Sequence, residues 1–591
     1  MVDGVALAEV SLLWPDGVRG ARRGGGLRAE TAADLDLDPL VRALAGRERR
    51  RESMVRAVLG EPVSDGAVIA YRQAVLADLM TDARLRDGLA SVLPLLAEAA
   101  RGEEPASHTE ADWGVLAFTR RLNDLALYVR AADRIKGLLA AASPASRGLN
   151  ALRAALEEET GGETFRALQA GLPALRAQLS QGECITLAIN LKPSWEPESA
   201  AILSIGPRTA GRGILQRLLA SQEAEHALTP LRRVDASGML GAEHSLARDL
   251  RALLEGTAAP VIAALQQFHT VHAGALAHLE GELAFLTGAA ELFSRLRAMG
   301  LPFCVPEVAP VEERATHIEA GFSLALALRL LVDPRPGPRR IVPSDISFGP
   351  GGRVWILTGP NRGGKTTFLR AVGLSHLLFA SGLPVPGRRA RLSPVDRIIT
   401  HFVTQERGTP GEGRLDEEAE GLARIFAEAT PQSLILLNEV LAGSTSQVEA
   451  LALAGDAVRG LRLLGARCVF ATHLHDLAAS VDRLNAAVPD ADSTVGSLVA
   501  GVLEPGDSAP DPFTFGRSGD PGSAPGLDPP DDPAARGEDE PRPTFHIMPG
   551  PPRGLSFASA IARQHGISFA QLRARLAARG IGPGAAGGAG A

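Results

Sequence analysis

The sequence predicts a multidomain protein in which an all-α helical region is followed by an α/β domain built around one glycine-rich turn. Three observations predict it. The chain has 591 residues, too many for a single hydrophobic core. Between residues 64 and 299 apolar side chains recur mainly at intervals of three and four, the period of an amphipathic helix. From Leu301 onward short apolar runs alternate with helical stretches, and one run, Val354 to Thr358, leads directly into Gly359-Pro360-Asn361-Arg362-Gly363-Gly364-Lys365-Thr366-Thr367.

Composition sets the outer limits. With 45% hydrophobic and 22% charged residues the chain reads as a globular protein, and its abundant Gly and Pro imply long loops. Residues 1 to 28 hold no apolar core with a cleavage site, and no run reaches membrane-spanning length, so the expectation is a cytoplasmic protein with no membrane association. Cys184, Cys304 and Cys468 are far apart without CxxC spacing, which favours buried thiols over a zinc site or disulfides. The net charge of −7 resides in one segment: Glu504 to Pro543 has ten acidic and three basic residues. The remainder is neutral, so total charge neither supports nor excludes a nucleic-acid partner.

Taken in order, residues 1–60 form an N-terminal segment with arginine-rich stretches at Arg19 to Arg28 and Arg47 to Arg51, read as solvated faces. Residues 61–300 form the helical region. Ala67, Val68, Tyr71, Val75, Leu76 and Leu79 make an apolar stripe between Ser64 and Gly102, and further helices are predicted from Trp113 to Ala142 and from Ala145 to Leu179. The period shortens at Ile185 to Leu191 and Ala201 to Ile205, predicting a strand pair. From Gly241 to Met299 helix returns, with His272, Leu276, Leu279, Leu283, Leu286, Ala290 and Phe293 in a heptad seam, the pattern of a long lever. His269, His272 and His278 share that stretch, but nothing at ligand spacing completes a metal set.

Residues 301–580 form the α/β domain. Its predicted strands are Arg353 to Thr358, Arg397 to Val403, Ser433 to Asn438, Arg467 to Thr472, Ser497 to Leu503 and Thr544 to Met548. The last two flank residues 504–543, whose Pro, Gly, Asp and Ser predict a disordered acidic loop at a hairpin tip. Residues 581–591 are a flexible Gly/Ala tail.

The strand, glycine turn and helix around Lys365 have the order of a phosphate-binding P-loop. Gly359, Gly363 and Gly364 let the backbone wrap a polyphosphate, with Pro360, Asn361, Arg362 and Thr367 completing the loop. Lys365 brings positive charge to the β- and γ-phosphates, and Thr366 offers a hydroxyl to Mg²⁺. The chain has three lysines, Lys136, Lys192 and Lys365, so a composition that otherwise favours arginine retains the compact ammonium here. The strand ending Leu437-Asn438-Glu439 supplies the second element: Asn438 assists the metal through water, and Glu439 serves as general base. The next strand ends Ala471-Thr472-His473, placing His473 to face the γ-phosphate or the attacking water.

These residues together resemble the MutS family of DNA mismatch repair. The resemblance lies in Val342-Pro343-Ser344-Asp345-Ile346, the loop from Gly359 to Thr367, Pro394-Val395-Asp396-Arg397-Ile398, Asn438-Glu439, Gly443-Ser444-Thr445-Ser446 and Ala471-Thr472-His473. Pro549-Gly550, Ser556-Phe557 and the helix from Ala558 look like the family's closing segment. Residues 60 to 300 resemble its helical core and levers in pattern, with Ile69-Ala70-Tyr71-Arg72-Gln73 as a further point.

The resemblance implies an ATPase of the ABC type, using ATP and Mg²⁺, that works as a homodimer with each site completed by the partner subunit. The family's trans-acting signature falls at Gly411-Glu412-Gly413-Arg414, with Glu418 at an acidic position. Here Gly413 replaces the family's serine, as Asn438 replaces its acidic residue. No Phe-x-Glu wedge occurs in the first hundred residues, which implies a reduced member without the mismatch reader. The expectation is a DNA-dependent ATPase whose arms enclose duplex, mismatched or branched DNA, acting with repair or recombination proteins. Arg208, Arg212, Arg217, Arg232 and Arg233 are candidate phosphate contacts. Asn438 and Gly413 also motivate a rival, a nucleotide-gated structural dimer with little hydrolysis and a protein partner.

Overall fold

The computed structural model describes residues 7–15, 26–46, 49–102, 115–180, 184–191, 197–206, 276–332, 339–403, 414–441, 447–489, 491–503, 511–515, 542–552 and 566–578. The N-terminal segment forms α1 (Ala29–Asp34), α2 (Asp38–Ala45) and α3 (Arg49–Gly60). Next come α4 (Gly66–Thr81), α5 (Ala83–Ala90), α6 (Leu93–Gly102), α7 (Val115–Ala142), α8 (Arg147–Gly161) and α9 (Glu163–Ser180). Asp82 and Ser146 cap α5 and α8 by accepting from backbone N–H groups of the first turn.

β1 (Cys184–Leu191) and β2 (Pro197–Gly206) pair antiparallel, so the region is not all-α; the hairpin follows the shortened period at these residues. Helix resumes at α10 (Leu279–Ala298), after a turn over residues 276–278. Residues 241–275 of the expected long helix, including His269 and His272, lie outside the described residues. So do all five candidate DNA-contacting arginines.

By contacts the chain divides into two compact units, Met1–Leu12 with Asp82–Leu283, and Leu13–Thr81 with Ala284–Ala591. In the first, α5, α6, α8 and α9 all pack on α7. Tyr128 of α7 meets Phe165 of α9 edge to face at 5.9 Å and donates its hydroxyl to Glu159 Oε1 at 2.7 Å. His278 Nε2 lies 2.7 Å from the Val10 carbonyl.

The second unit continues with β3 (Phe303–Cys304), β4 (Glu307–Val308), β5 (Thr316–Gly321), α11 (Leu324–Val332), β6 (Arg339–Ile341), β7 (Ser344–Phe348), β8 (Val354–Thr358) and α12 (Lys365–Ala380). Then follow β9 (Val385–Pro386), β10 (Arg389–Leu392), β11 (Ile398–Phe402), α13 (Arg414–Glu428), β12 (Leu434–Asn438), α14 (Gln447–Leu464) and β13 (Arg467–Ala471). The remaining elements are α15 (His475–Ala479), α16 (Val481–Ala486), β14 (Val495–Leu503), β15 (Phe513–Phe515), β16 (Arg542–Pro549) and α17 (Phe569–Ala578).

The six strands predicted for the α/β domain form one sheet in the order β11-β12-β13-β8-β14-β16, parallel except for β16. Helices cover both faces. On β12, Ile435 and Leu437 join the buried cluster of α13 and α14, while Leu436 points to α12. A Cβ on Gly373 of α12 would lie 2.9 Å from Leu436 and 2.4 Å from Leu35, so glycine allows α12 to fit between the sheet and the N-terminal helices. Arg370 donates to the Asp34 carbonyl at 2.8 Å, and Thr400 on β11 donates to the Asp34 carboxylate at 2.7 Å. Residues 26–60 are therefore part of the α/β unit, held by Leu35, Leu40 and Val41, which are fully buried.

Residues 504–543 contain a second departure from the sequence reading. β14 and β16 do pair as a hairpin around them, but β15 inside the segment pairs antiparallel with β6. Phe513 supplies the apolar surface that the flanking residues lack. Apart from residues 511–515 and 542–543, the segment lies outside the described residues, as does the tail. Among the described residues no helix is long and apolar enough to cross a membrane.

Candidate functional site

Four parallel strands, β11, β12, β13 and β8, end on the same side of the sheet, where the loop from Gly359 to Gly364 turns into α12. At topological positions of this kind α/β proteins collect ligands. Gly359 has φ +147°, and a Cβ there would lie 2.6 Å from that of Ala500 on β14. Gly364, with φ +96°, caps the start of α12, whose free N–H groups and positive end face the turn. Arg362 also adopts a left-handed conformation, and Gly363 N donates to the Pro360 carbonyl at 3.1 Å.

Lys365 is 5% exposed and folds back on its own loop, donating to the carbonyls of Gly359 at 3.0 Å and Pro360 at 3.1 Å. Burial pulls its pKa below the ordinary lysine value, with the Glu439 carboxylate opposing that shift. Thr366 donates to Asn438 Oδ1 at 3.3 Å, which joins the two proposed metal-assisting groups across 72 residues of sequence. Asn438 is itself buried at the end of β12. Glu439 follows with φ +59°, its backbone N–H tied to the Ala471 carbonyl at 2.9 Å. His473 Nε2 lies 3.0 Å from Glu439 Oε1, and both side chains are about one-third exposed. Behind them, burial, His473 and Lys365 lower the pKa of His475, with Asp476 opposing.

Lys365, Thr366 and Glu439 border a cavity of about 480 Å³, within the size range of small-molecule sites. Its lining combines Arg362 to Thr367 and Glu439 with Arg340 and the apolar side chains of Phe322, Leu326, Ile341, Val342, Phe545 and Ile547. Sequence reasoning missed this apolar wall, which comes from three distant segments with no shared motif. β16 is fixed to the start of β7 and the residue before it by Ile547 N donating to Ser344 Oγ at 2.9 Å and by His546 Nδ1 at 2.8 Å from the Pro343 carbonyl. Phe545, at φ +59°, is half exposed beside Gly364.

The donor set fits a triphosphate with Mg²⁺: a helix N-terminus, a lysine, and a hydroxyl and an amide oxygen already in contact. Of the trans-acting candidates, Gly411 and Gly413 lie outside the described residues, and only the backbone of Arg414 is described, at the start of α13. Glu418 is buried and accepts from the Leu441 backbone N–H of its own chain, steadying the segment after Glu439. Gly443 to Ser446 also lie outside the described residues. Among the described residues no group of three or more His, Cys, Asp or Glu is placed to hold a metal.

The chain is similar to known proteins in both units. A family model described as MutS domain V matches residues 355–495, and one described as MutS2 N-terminal domain matches residues 64–299. A DNA mismatch repair protein MutS from Granulibacter bethesdensis is 35% identical over 219 residues, covering 37% of this chain and 23% of the relative. The protein of that name from Zymomonas mobilis is 37% identical over 148 residues, 25% of this chain and 17% of the relative. The one from Sorangium cellulosum is 34% identical over 222 residues, 35% of this chain and 24% of the relative. The chain thus spans about a quarter or less of the length of these curated relatives. The two family models match separate stretches, residues 64–299 and 355–495, and both describe domains of MutS-type proteins, so the chain is similar to the MutS family in both.

Proposed function

We propose that this protein is a cytoplasmic, DNA-binding ATPase that acts as a homodimeric clamp in DNA mismatch repair or a related repair or recombination process. The observation that carries the reading is that Lys365, Thr366 and Glu439 line one cavity at the strand ends, with Asn438 bonded to Thr366 and His473 to Glu439. Similarity to the MutS family supports the DNA partner and the dimer.

In this reading residues 301–580 hold the nucleotide and residues 61–300 engage DNA. The backbone N–H groups from Gly359 to Thr367 and the start of α12 bind the triphosphate. Lys365 turns from the loop carbonyls to the β- and γ-phosphates. Thr366 and Asn438 hold Mg²⁺, Asn438 through water; the ion supplies charge neutralisation on the phosphate oxygens. Glu439 accepts the proton of the attacking water, and His473 orients that carboxylate and faces the γ-phosphate. The base rests against Phe322, Ile341 and Phe545.

The test is a titration of purified protein with a fluorescent ATP analogue and Mg²⁺, followed by binding to duplex, mismatched and branched oligonucleotides with and without ATP. Saturable binding that disappears in Lys365→Ala, with DNA affinity that changes on adding ATP, is the expected result. DNA affinity indifferent to nucleotide would sink the clamp. The neutral Asn438 favours one second reading, a nucleotide-gated dimer that scarcely hydrolyses ATP and acts on a protein partner. Tight ATP binding with wild-type turnover no faster than that of Glu439→Gln identifies it.

A further inference from the structure

The apolar wall of the cavity continues into the acidic segment. Phe293 of α10 meets Phe303 at 5.1 Å between ring centroids, Phe303 meets Phe322 at 5.5 Å, and Phe322 meets Phe513 at 5.8 Å, each edge to face. Phe322 lines the cavity, whereas Phe513 belongs to β15. In the β15–β6 pair Phe513 stands opposite Ile341 and Thr514 opposite Arg340, and both partners on β6 also line the cavity. The Arg388 guanidinium lies over the Phe513 ring, 5.6 Å from its centroid. An isolated two-stranded pair is marginal in water, so a three-residue strand needs side-chain anchorage of this kind. Between Glu504 and Pro543 the large apolar residues are Phe513, Phe515 and Leu527, and two of these three fall in β15.

We propose that β15 is a working part of the nucleotide site. Phe513, in contact with both Phe322 and Arg388, positions the Phe322 ring and the β6 rim so that the apolar part of the cavity lining fits a nucleoside base. The acidic segment is thereby anchored to the site through one strand. Phe513 is a positioning residue: it acts through Phe322 and Ile341 and touches none of the phosphate-binding groups. The proposal rests on the nucleotide reading above, and it assigns nucleotide affinity, rather than the chemical step, to a residue far from the P-loop.

The experiment measures binding of a fluorescent ATP analogue, its displacement by inorganic tripolyphosphate, and steady-state ATP turnover, using the full chain and three variants. Phe513→Ala removes the ring, and Thr514→Pro removes a backbone donor from β15 at an exposed position. Phe513→Tyr keeps the ring. The first two variants are expected to raise Kd and KM about three- to tenfold, the size of one lost aromatic contact, with kcat and tripolyphosphate affinity unchanged and Phe513→Tyr at wild-type values. Wild-type nucleotide affinity in Phe513→Ala and Thr514→Pro overturns the proposal alone. So does an equal loss of tripolyphosphate affinity, which would mark general damage to the fold. A wild type that binds no nucleotide overturns the nucleotide reading itself, and this one with it.

Discussion

His473 Nε2 lies 3.0 Å from Glu439 Oε1, joining the residues that follow two adjacent parallel strands. A carboxylate held this way keeps one orientation at the mouth of the cavity. Glu439→Gln preserves its shape and removes the proposed general base. Steady-state turnover of ATP is expected to fall about 100-fold or more, with nucleotide affinity within about twofold of wild type. His473→Ala leaves the base in place but frees its orientation, so its loss, read in kcat, is expected to be smaller.

The 3.3 Å contact between Thr366 and Asn438 Oδ1 sets up a charge test. Asn438→Asp keeps the geometry and adds a negative charge where the metal is proposed to bind. The Mg²⁺ concentration giving half-maximal ATP binding is expected to fall about tenfold, as for a hydrogen-bonded group made ionic. Asn438→Ala is expected to raise it. No change in either variant removes Asn438 from the metal site.

Gly359 has no room for a side chain, since its added Cβ would meet that of Ala500 at 2.6 Å and its φ of +147° disfavours other residues. Gly359→Ala is expected to destabilise the protein by about 1–3 kcal/mol in urea unfolding and to weaken ATP binding. A midpoint equal to wild type contradicts that close approach.

His376 gives a pH prediction. Its ring is fully buried, with Nε2 3.0 Å from Thr316 Oγ1, and burial together with nearby Arg467 holds its pKa well below the ordinary histidine value of 6.5. Below that value the unfolded chain takes up a proton that the folded chain refuses. The stabilisation is therefore fully present above about pH 6.5 and is lost as pH falls toward the folded pKa, by at most about 1.4 kcal/mol per pH unit. Urea unfolding at pH 7.5, 6.5 and 5.5 checks it: His376→Gln is expected to lose less stability on acidification than wild type.

Much of the α/β unit was legible because its strands β8, β12 and β13 are near-continuous apolar runs that end in or lead into polar residues, as buried parallel strands do. That same feature placed Asn438, Glu439 and His473 at strand ends, and the structure brings them to Lys365 and Thr366. The two-residue strands β3, β4 and β9 are too short to show a period. The N-terminal helices gave a weaker signal. Asp38-Pro39 before Leu40, Val41 and Leu44 marks a helix start, but the contact of this segment with α12 arises where Leu35 packs at Gly373, 338 residues further along the chain. β15 was hidden by composition, since Phe513 and Phe515 sit in a stretch that is otherwise polar.

The central claim is that this nucleotide site serves DNA engagement. Its most direct test is steady-state ATP turnover by the purified protein with and without duplex and branched DNA, alongside Lys365→Ala and Glu439→Gln. The account predicts turnover that rises with DNA in the wild type and is absent in both variants. Wild-type turnover that DNA leaves unchanged, or that matches the two variants, contradicts it.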